Sequence, residues 1–475
     1  MFLSILGIIV SLALLITLAY KGMPVILAGP IAAIVCILFS GAPILASYTE
    51  IFMPALANFV GSYFVLFLLG AIFGVLMAET GYARSIAKTI TKFIGSRSAM
   101  GAVVVTSALM TYGGISLFVV AFVIFPIALE IFREAGIPRR LIPGTIALGI
   151  FTFTMTALPG SPQVQNIIPG QFFDTNSYAA SGVGLLGAVM IFGLGLAWLE
   201  YRRRSLIRSG EGFEIPEKLK GVPLLAGEQS DEAKTAVAVL EPKVHPIVPF
   251  LPIMTVIAVN FLCTLVIFPR LDWSYLSEEQ YGGATIEARA GRWAVIVGIV
   301  LAILLLSALN LKNMPTVITA INAGAKQSLL PIFSTASEIG YGAVVASVAG
   351  FAVVRDAVFN MGANALVTSV VTTSITAGLT GSSSGGMTIA LNALGEDLKA
   401  MAVQDGTSLE LMHRLTAMAA GGLDTLPHSG AVVTLLIVCG LNHRQGYKDI
   451  GMVTIVMPLV SVAALMGLVS ITGAF

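Results

Sequence analysis

The sequence predicts an all-α polytopic membrane protein, with about ten transmembrane helices and two re-entrant hairpins in two inverted-topology repeats. Three observations predict this fold class. Charged residues make up 11% of the 475-residue chain and hydrophobic residues 56%, whereas a soluble domain has roughly 25% charged residues. Apolar stretches recur along the whole chain, which has a mean hydropathy of +0.92. Two short motifs recur in the same order in both halves.

The predicted spans follow from the lengths of the apolar runs. A helix needs roughly 20 apolar residues to cross the hydrocarbon core of a bilayer. The first 20 residues lack a basic segment and a small-residue cleavage pattern, so we interpret them as the first span rather than as a signal peptide. The ten predicted spans are residues 2–20, 23–40, 57–78, 140–165, 180–199, 246–268, 293–309, 331–354, 410–440 and 449–473.

Two further apolar stretches are interrupted near their centres. Residues 100–132 contain Gly113 and Gly114, and residues 360–395 contain a run rich in glycine and serine at 378–386. Irregular backbone at membrane depth is tolerated only where it is buried in protein or lines a cavity. We therefore predict a re-entrant hairpin in each stretch.

The distribution of Lys and Arg predicts the orientation of the chain. With the N-terminus outside, the predicted spans place 20 of the 26 Lys and Arg residues in the cytoplasm, in agreement with the positive-inside rule. Arg414 is among the six that this assignment places outside. Both termini then face the outside. The ends of the first hairpin lie in the cytoplasm and the ends of the second lie outside.

The recurring motifs divide the chain into two halves. Residues 113–116 are similar to residues 385–388, at an offset of 272, and residues 158–161 are similar to residues 426–429, at an offset of 268. Each half would hold three spans, a hairpin and two further spans, and an odd number of crossings makes the halves antiparallel. The hydrophilic connector between them is interpreted as a cytoplasmic linker, with a regulatory module as the alternative. The predicted boundaries are 1–199 for the first repeat, 200–245 for the linker and 246–475 for the second repeat.

Four interrupted segments combine glycine or proline with hydroxyl groups: residues 112–116, 157–166, 380–388 and 421–429. Half-helices that begin at such breaks present free N–H groups and a partial positive charge, which suit a carboxylate. Hydroxyl groups supply donors and acceptors to a hydroxylated ligand. The alternative is that these small residues only allow close helix packing. The residues predicted to bind a substrate are Gly113, Gly114, Ser116, Ser161, Gln163, Ser382, Ser383, Ser384, Gly385, Gly386, Thr388 and Ser429.

Three ionisable residues inside predicted spans are candidates for proton coupling: Asp424, His428 and Glu338. Ionisable side chains are costly in a membrane and tend to be functional there. A histidine four residues from a carboxylate is suited to carry a proton. The alternatives are that Asp424 caps the half-helix after the break, that His428 is a structural hydrogen-bonding residue, and that Glu338 only reaches toward the membrane interface.

A basic amphipathic helix is predicted at residues 81–98. Arg84, Lys88 and Lys92 follow one another at four-residue intervals, with apolar residues on another face. Such a helix lies along the cytoplasmic membrane interface. Residues 310–328 form a weaker counterpart in the second half, and each of the two would connect a span to its hairpin.

Other classes of protein receive less support. A net charge of +1 offers no electrostatic basis for nucleic-acid binding. The three cysteines lie in apolar runs without ligand spacing, so neither a metal nor a cofactor is predicted. Residues 381–385 satisfy the pattern G-x-S-x-G, and Ser383, His428 and Asp424 could form a triad on paper. That motif acts on a strand-to-helix turn, so an intramembrane serine hydrolase is the less favoured alternative.

Four stretches of the chain carry a family resemblance: YGGISLFVVAFVIFPIALEIFREAGIPRR, ALPGSPQVQNIIP, GLTGSSSGGMTIALNAL and GGLDTLPHSGAVVTLL. They resemble the gluconate/proton symporter family, which includes 3-hydroxybutyrate permease-like members. The resemblance extends over nearly the whole chain and is weakest in the predicted linker.

The resemblance implies a bacterial inner-membrane permease that carries a small hydroxylated monocarboxylate with a proton. It also implies an elevator-type fold of the ion transporter superfamily, with a scaffold that forms a homodimer among membrane lipids and a mobile transport domain. By this resemblance, residues 113–116 and 382–388 correspond to the hairpin tips, and residues 159–161 and 424–429 to the two broken spans. A sodium-coupled carboxylate carrier on the same fold is the alternative.

Overall fold

The computed structural model of the protein consists of helices and connecting turns throughout the part of the chain that it describes. Helices suit a lipid environment because each one satisfies its own backbone hydrogen bonds. This confirms the all-α prediction. The structure describes residues 2–21, 23–94, 98–213, 245–281, 285–359, 364–427 and 429–472.

The first half begins with three apolar helices, Phe2–Tyr20, Val25–Ser40 and Ile44–Glu79. The third begins well before the predicted span at 57–78. After it, Tyr82–Ile94 forms the predicted basic amphipathic helix. The first hairpin is the next helical element of the described chain.

The first hairpin and a broken helix complete this half. Ala99–Tyr112 and Leu117–Glu134 are the two helices of the hairpin. The helix Ile142–Ile150 then gives way to an irregular stretch before the short helix Ile168–Phe173. Prolines in that stretch remove backbone donors and disfavour helical geometry in the preceding residue. The half ends with the long helix Ser181–Arg208.

The second half shows the same succession of elements: three helices, a shorter helix, a hairpin, a broken helix and a long final helix. The order is therefore shared by the two halves, while their antiparallel orientation and the boundaries of the repeats stay predictions. The elements are Val248–Arg270, Ile286–Leu309, Leu311–Ser347, Ala349–Phe359, Ala365–Thr380, Ser383–Asp405, Leu409–Leu423, Gly430–Val438 and His443–Thr472.

The structure differs from the sequence prediction at three places. The helix Ser181–Arg208 runs into the predicted linker, because Glu200 forms ion pairs with arginines three and four residues later, a spacing that stabilises helices. The second hairpin extends to Asp405 rather than to 395. The helix that precedes this hairpin is Ala349–Phe359, whereas residues 310–328 begin the third helix of the half. Most of the predicted linker, residues 214–244, lies outside the described residues.

By length and composition, the described residues include six helices that could cross a membrane. Half-helices that meet at a break are shorter than the bilayer, so the predicted count of ten crossings stays a prediction. The chain is nevertheless a multi-pass membrane protein. The six helices are Ile44–Glu79, Ser181–Arg208, Val248–Arg270, Arg289–Leu309, Leu311–Ser347 and His443–Thr472.

A buried ion pair joins the final helices of the two halves. Arg202 Nε donates to Asp449 Oδ1 at 2.8 Å, and Trp198 Nε1 donates to the same oxygen at 3.1 Å. Both Arg202 and Asp449 are buried. Since removal of one partner from such a pair costs roughly 3–5 kcal/mol, the contact fixes the two helices against each other.

Candidate functional site

The first hairpin turns at two glycines. Gly114 has a φ of +90°, a backbone region that glycine adopts at little cost and other residues rarely adopt. A Cβ atom at Gly113 would lie 2.7 Å from a side-chain carbon of Ile253. Ser116 follows the turn and directly precedes the second helix of the hairpin. The tip is therefore narrow, and its backbone approaches a neighbouring helix closely.

The first broken helix contacts this tip through two hydrogen bonds. The Tyr112 hydroxyl donates to the carbonyl of Pro159 at 2.6 Å, and Gln163 Nε2 donates to the carbonyl of Thr111 at 2.7 Å. Ser161 is fully buried and donates to a carbonyl of its own segment at 2.5 Å. These bonds occupy carbonyls that a break in a membrane helix would otherwise leave unsatisfied.

The second hairpin turns at Gly381, which has a φ of +67°. The next residue, Ser382, accepts a hydrogen bond from the Gly385 amide at 3.1 Å and so caps the second helix of the hairpin. One turn further along, the Thr388 hydroxyl donates to the carbonyl of Ser384 at 2.7 Å. The interruption is shorter than predicted, because helix geometry resumes directly after Ser382.

The second broken helix contacts the second hairpin. The Ser429 hydroxyl donates to the carbonyl of Gly381 at 2.9 Å. Asp424 is buried, and its Oδ1 has no hydrogen-bond partner among the described residues. Ser429, not Asp424, directly precedes the half-helix that begins at Gly430, so the predicted capping role does not apply to Asp424. His428 lies outside the described residues.

The four interrupted segments form one connected group. Gln165 Nε2 donates to the Ser383 hydroxyl at 3.0 Å and so links the first broken helix to the second hairpin. The Asp424 side chain lies beside the same hydroxyl group. Together with the bonds above, these contacts join first hairpin, first broken helix, second hairpin and second broken helix in that order. We call this group the central cluster, defined as residues 112–116, 157–166, 381–388, 424–427 and 429.

Glu338 approaches the central cluster from a separate helix, Leu311–Ser347. Its carboxyl group lies beside the Ser382 hydroxyl and against Gly385. The residue is buried, and its Oε2 has no hydrogen-bond partner within the described ranges. Glu338 therefore does not reach toward the membrane interface. A buried carboxylate without a partner is costly, which makes this oxygen available to a proton or a cation.

Glycine at position 385 leaves room for the Glu338 carboxyl group. A Cβ atom there would overlap Glu338 Oε2. We expect Gly385→Ala to lower the unfolding temperature. We expect the double variant, Gly385→Ala with Glu338→Ala, to lose less stability than the sum of the losses in the two single variants. The coupling should be about 1 kcal/mol or more, as for contacting residues, and thermal unfolding in detergent measures it. Strictly additive losses would show that the two residues do not touch.

Arg414 has a role that the sequence does not predict. The orientation rule counts it among the charged residues outside, and the structure buries it completely in the helix Leu409–Leu423. Its guanidinium makes five hydrogen bonds to uncharged oxygens of the first broken helix and the loop after it. These acceptors are Thr156 O at 3.2 Å, Asn166 Oδ1 at 2.6 Å, Ser177 O at 3.0 Å, and Ala179 O at 3.1 Å from Nε and 3.0 Å from one terminal nitrogen.

These five bonds use every N–H group of the guanidinium. Arg414 therefore has no donor left for a solute, and it holds the conformation of the broken helix. A buried cation is costly in a membrane, and here carbonyl dipoles stabilise it. The signal in the sequence was an arginine inside an apolar run of the second broken span, but its partners lie more than 230 positions away.

Lysine should not replace Arg414, because an ammonium group has three donors on one atom and cannot reach acceptors spread around a planar fork. We expect Arg414→Lys to leave at least one carbonyl unpaired and to cost about 2 kcal/mol of stability. Thermal unfolding of the purified protein measures the loss. Arg208→Lys, at an exposed position of the helix Ser181–Arg208, is the control. Equal unfolding temperatures for the two variants would contradict a positioning role for Arg414.

The fold is similar to a solved transporter structure, the crystal structure of YdaH from Alcanivorax borkumensis. The TM-score is 0.53, and the match covers 88% of this chain and 86% of that one at 14% sequence identity. At such low identity the likeness concerns the fold alone.

Two sequence comparisons identify the family. Residues 1–197 match the family model described as GntP family permease. The chain is also 40% identical over 478 aligned residues to the Bacillus subtilis (strain 168) protein "Uncharacterized transporter YxjC", with 98% of both chains covered. This alignment also covers the second hairpin and the second broken helix, which lie beyond the residues that the family model matches. The chain that forms this central cluster belongs to the GntP family of permeases.

Proposed function

We propose that this permease carries a small hydroxylated monocarboxylate, such as gluconate or a 3-hydroxybutyrate-like acid, together with a proton across the bacterial inner membrane. The observation that carries the proposal is the pair of buried carboxyl groups at the second hairpin tip. Glu338 is 5% exposed and Asp424 8% exposed, and each has one oxygen without a hydrogen-bond partner in the described part of the chain. Protonation removes the cost of burying such a group.

The surroundings of these carboxyl groups suit an anionic solute with hydroxyl groups. Ser382 and Ser383 lie beside the two acids, and their hydroxyls can pair with those of a solute. The helix Ser383–Asp405 begins at this point, and its N-terminus carries a partial positive charge that stabilises a carboxylate. The solute would thus bind at the tip, with its carboxylate toward the helix start.

A proton that travels with the solute also makes the crossing easier. One unit of charge that moves against the membrane potential costs about 2.3 kcal/mol per 100 mV. A bound monocarboxylate and a bound proton together carry no net charge, so this cost vanishes for the pair. Coupling to a proton therefore serves transport as well as the burial of one of the two carboxyl groups.

The proposed movement is that of an elevator, in which the central cluster moves relative to a dimeric scaffold. The hydrogen bonds within the cluster support this proposal, because they let four segments move together. The two inverted repeats and the placement of both termini outside belong to the same proposal. A serine hydrolase is set aside, since the family consists of permeases.

Sodium coupling is the second candidate. Oxygen ligands suit Na⁺, and the second hairpin tip offers them. The Thr380 hydroxyl donates to the carbonyl of Ser382 at 3.2 Å, and the Glu338 carboxyl group lies beside the Ser382 hydroxyl. A buried carboxylate beside neutral oxygens can hold a sodium ion as well as a proton.

Uptake into lipid vesicles tests the proposal. We expect purified protein in vesicles to take up labelled gluconate or 3-hydroxybutyrate faster under an inward proton gradient than without one, in buffers free of sodium. If the gradient accelerates uptake of neither acid, the proposal fails. Replacement of Na⁺ by choline decides between the two ions: a dependence on Na⁺ without a proton gradient would favour the second candidate.

A further inference from the structure

Two arginines lie close together near the start of the helix Ile286–Leu309. Arg289 and Arg292 are three residues apart, so their side chains share one face of the helix. Both are partly exposed, and both lie close enough to the buried Tyr63 hydroxyl to act on it electrostatically. We call these two residues the arginine pair. The predicted orientation places the pair on the outer side, where the positive-inside rule disfavours arginine.

The stability of the helix does not account for the arginine pair. No carboxylate among the described side chains forms an ion pair with either residue. The ionisable groups that act on Arg292 are Arg289 and Tyr63, neither of which is an acid of the carboxyl type. Like charges at this spacing destabilise a helix, and cations are unfavourable near a helix N-terminus. A bound anion would offset both effects.

Most of the hydrogen-bond donors of the pair are free. Arg292 Nη1 donates to the carbonyl of Ser62 at 3.0 Å, which uses one of the five N–H groups of this guanidinium. The other N–H groups of Arg292 have no acceptor within the described ranges and are not fully buried. The fork of N–H groups on an arginine matches the two oxygens of a carboxylate. The pair thus differs from Arg414, whose five donors are all used.

The arginine pair lies beside the elements that form the central cluster. Gly291, between the two arginines, packs against the loop after the first broken helix, since a Cβ atom there would lie 3.3 Å from the Ser177 amide nitrogen. Ser62 and Tyr63 line a cavity of about 560 Å³ that also reaches Thr388 of the central cluster. The pair therefore borders the interior of the protein as well as its surroundings.

We infer that the arginine pair is an entry site for anionic solutes, where the carboxylate of the solute binds before the solute reaches the central cluster. The inference rests on the proposed function and extends it to the capture of the solute. Positive charge at the edge of a cleft raises the local concentration of an anion and its rate of association. The pair therefore acts on capture, whereas Glu338 and Asp424 act on coupling.

Uptake kinetics in vesicles test the inference. We expect Arg289→Gln to raise the KM for gluconate uptake about fivefold or more, because loss of a steering charge slows association, and to change kcat less than about twofold. Arg289→Lys keeps the charge and should restore the KM to within about twofold. Arg270→Gln is the matched control, since Arg270 is exposed and is not among the charges that act on Tyr63. Equal KM values for Arg289→Gln and Arg270→Gln would overturn the inference.

Two conditions separate a solute carboxylate from a lipid phosphate, the other anion that could bind these arginines. In vesicles of neutral phosphatidylcholine, we expect the effect of Arg289→Gln to persist. Higher salt should raise the KM of the unmodified protein more than that of the variant, since the Debye length falls from about 30 Å at 0.01 M to about 8 Å at 0.15 M. An effect confined to vesicles with anionic phosphatidylglycerol would assign the pair to a lipid and overturn the entry site.

Tryptophan fluorescence gives a readout that does not depend on transport. Trp293 follows Arg289 by four residues and shares its helix face, and its ring lies 5.5 Å from that of Trp273. We expect iodide, an anion, to quench the fluorescence of the purified protein about twofold more strongly than that of Arg289→Gln. Acrylamide, which is neutral, should quench both proteins equally, and gluconate should protect the unmodified protein from iodide.

The outcomes of this experiment are distinct from those of transport. Equal quenching of both proteins by iodide would show that the arginine pair attracts no anion. Quenching that gluconate leaves unchanged would exclude the solute carboxylate as its ligand. If the unmodified protein takes up neither acid under a proton gradient, the proposed function fails, and iodide quenching still shows whether Arg289 attracts anions.

Discussion

Asp424→Asn should abolish proton-driven uptake while leaving solute binding and solute exchange nearly intact. The amide has the shape of the carboxyl group but cannot release a proton. Asp424 is buried, its Oδ1 has no hydrogen-bond partner in the described residues, and its side chain lies beside Ser383. Protonated Asp424 and asparagine are both neutral, so the variant resembles the loaded state and skips the cost of burying a charge.

Three measurements on Asp424→Asn in vesicles separate coupling from binding: gradient-driven uptake, exchange of labelled for unlabelled solute without a gradient, and the dissociation constant. The control is Asp174→Asn, since Asp174 is half exposed and pairs with Lys399 at the surface. It should leave all three quantities close to those of the unmodified protein. An equal decrease of uptake, exchange and affinity in Asp424→Asn would remove Asp424 from the proton pathway.

Gly386→Ala should unfold the second hairpin or force its helices apart, with loss of uptake. A Cβ atom at this position would overlap the backbone nitrogen and Cα of Ala377, on the other helix of the hairpin. Overpacking usually costs 1–3 kcal/mol when side chains can move aside. Here the obstacle is main chain, so we expect a loss of about 3 kcal/mol or more. Thermal unfolding and vesicle uptake measure the two effects.

The matched control for this substitution is Gly193→Ala. Gly193 lies inside the helix Ser181–Arg208, and a Cβ atom there would meet nothing within 4 Å. Alanine at an open helical position should stabilise the protein by up to about 1 kcal/mol. If both variants unfold at the same temperature, the close approach of Gly386 to Ala377 does not limit stability.

The sequence predicted the all-α class and the positions of the breaks, because both follow from local rules. Lipid requires self-satisfied helices, and glycine or proline in an apolar run marks where a helix stops. Gly114 and Gly381 indeed have the positive φ angles that such turns require. The first broken helix was likewise located by its prolines.

The sequence did not reveal how distant groups meet. Arg414 was counted with the outer residues because charge patterns treat an arginine as a loop residue, while its acceptors come from a remote part of the chain. The sequence leaves both a functional and an interfacial role open for Glu338, because the depth of a residue along a helix does not show which neighbour its side chain faces. The extra turns of Ser181–Arg208 depended on ion pairs within the helix.

Glu338 and Asp424 approach the same hairpin tip from two different elements. Asp424 belongs to the hydrogen-bonded central cluster, whereas Glu338 comes from the helix Leu311–Ser347 and touches the tip beside Ser382 and Gly385. If the central cluster moves, Asp424 moves with it, whereas Glu338 stays with the helix Leu311–Ser347. The state of Asp424 then depends on whether the carrier is loaded, and the contact of Glu338 with the tip depends on the position of the cluster.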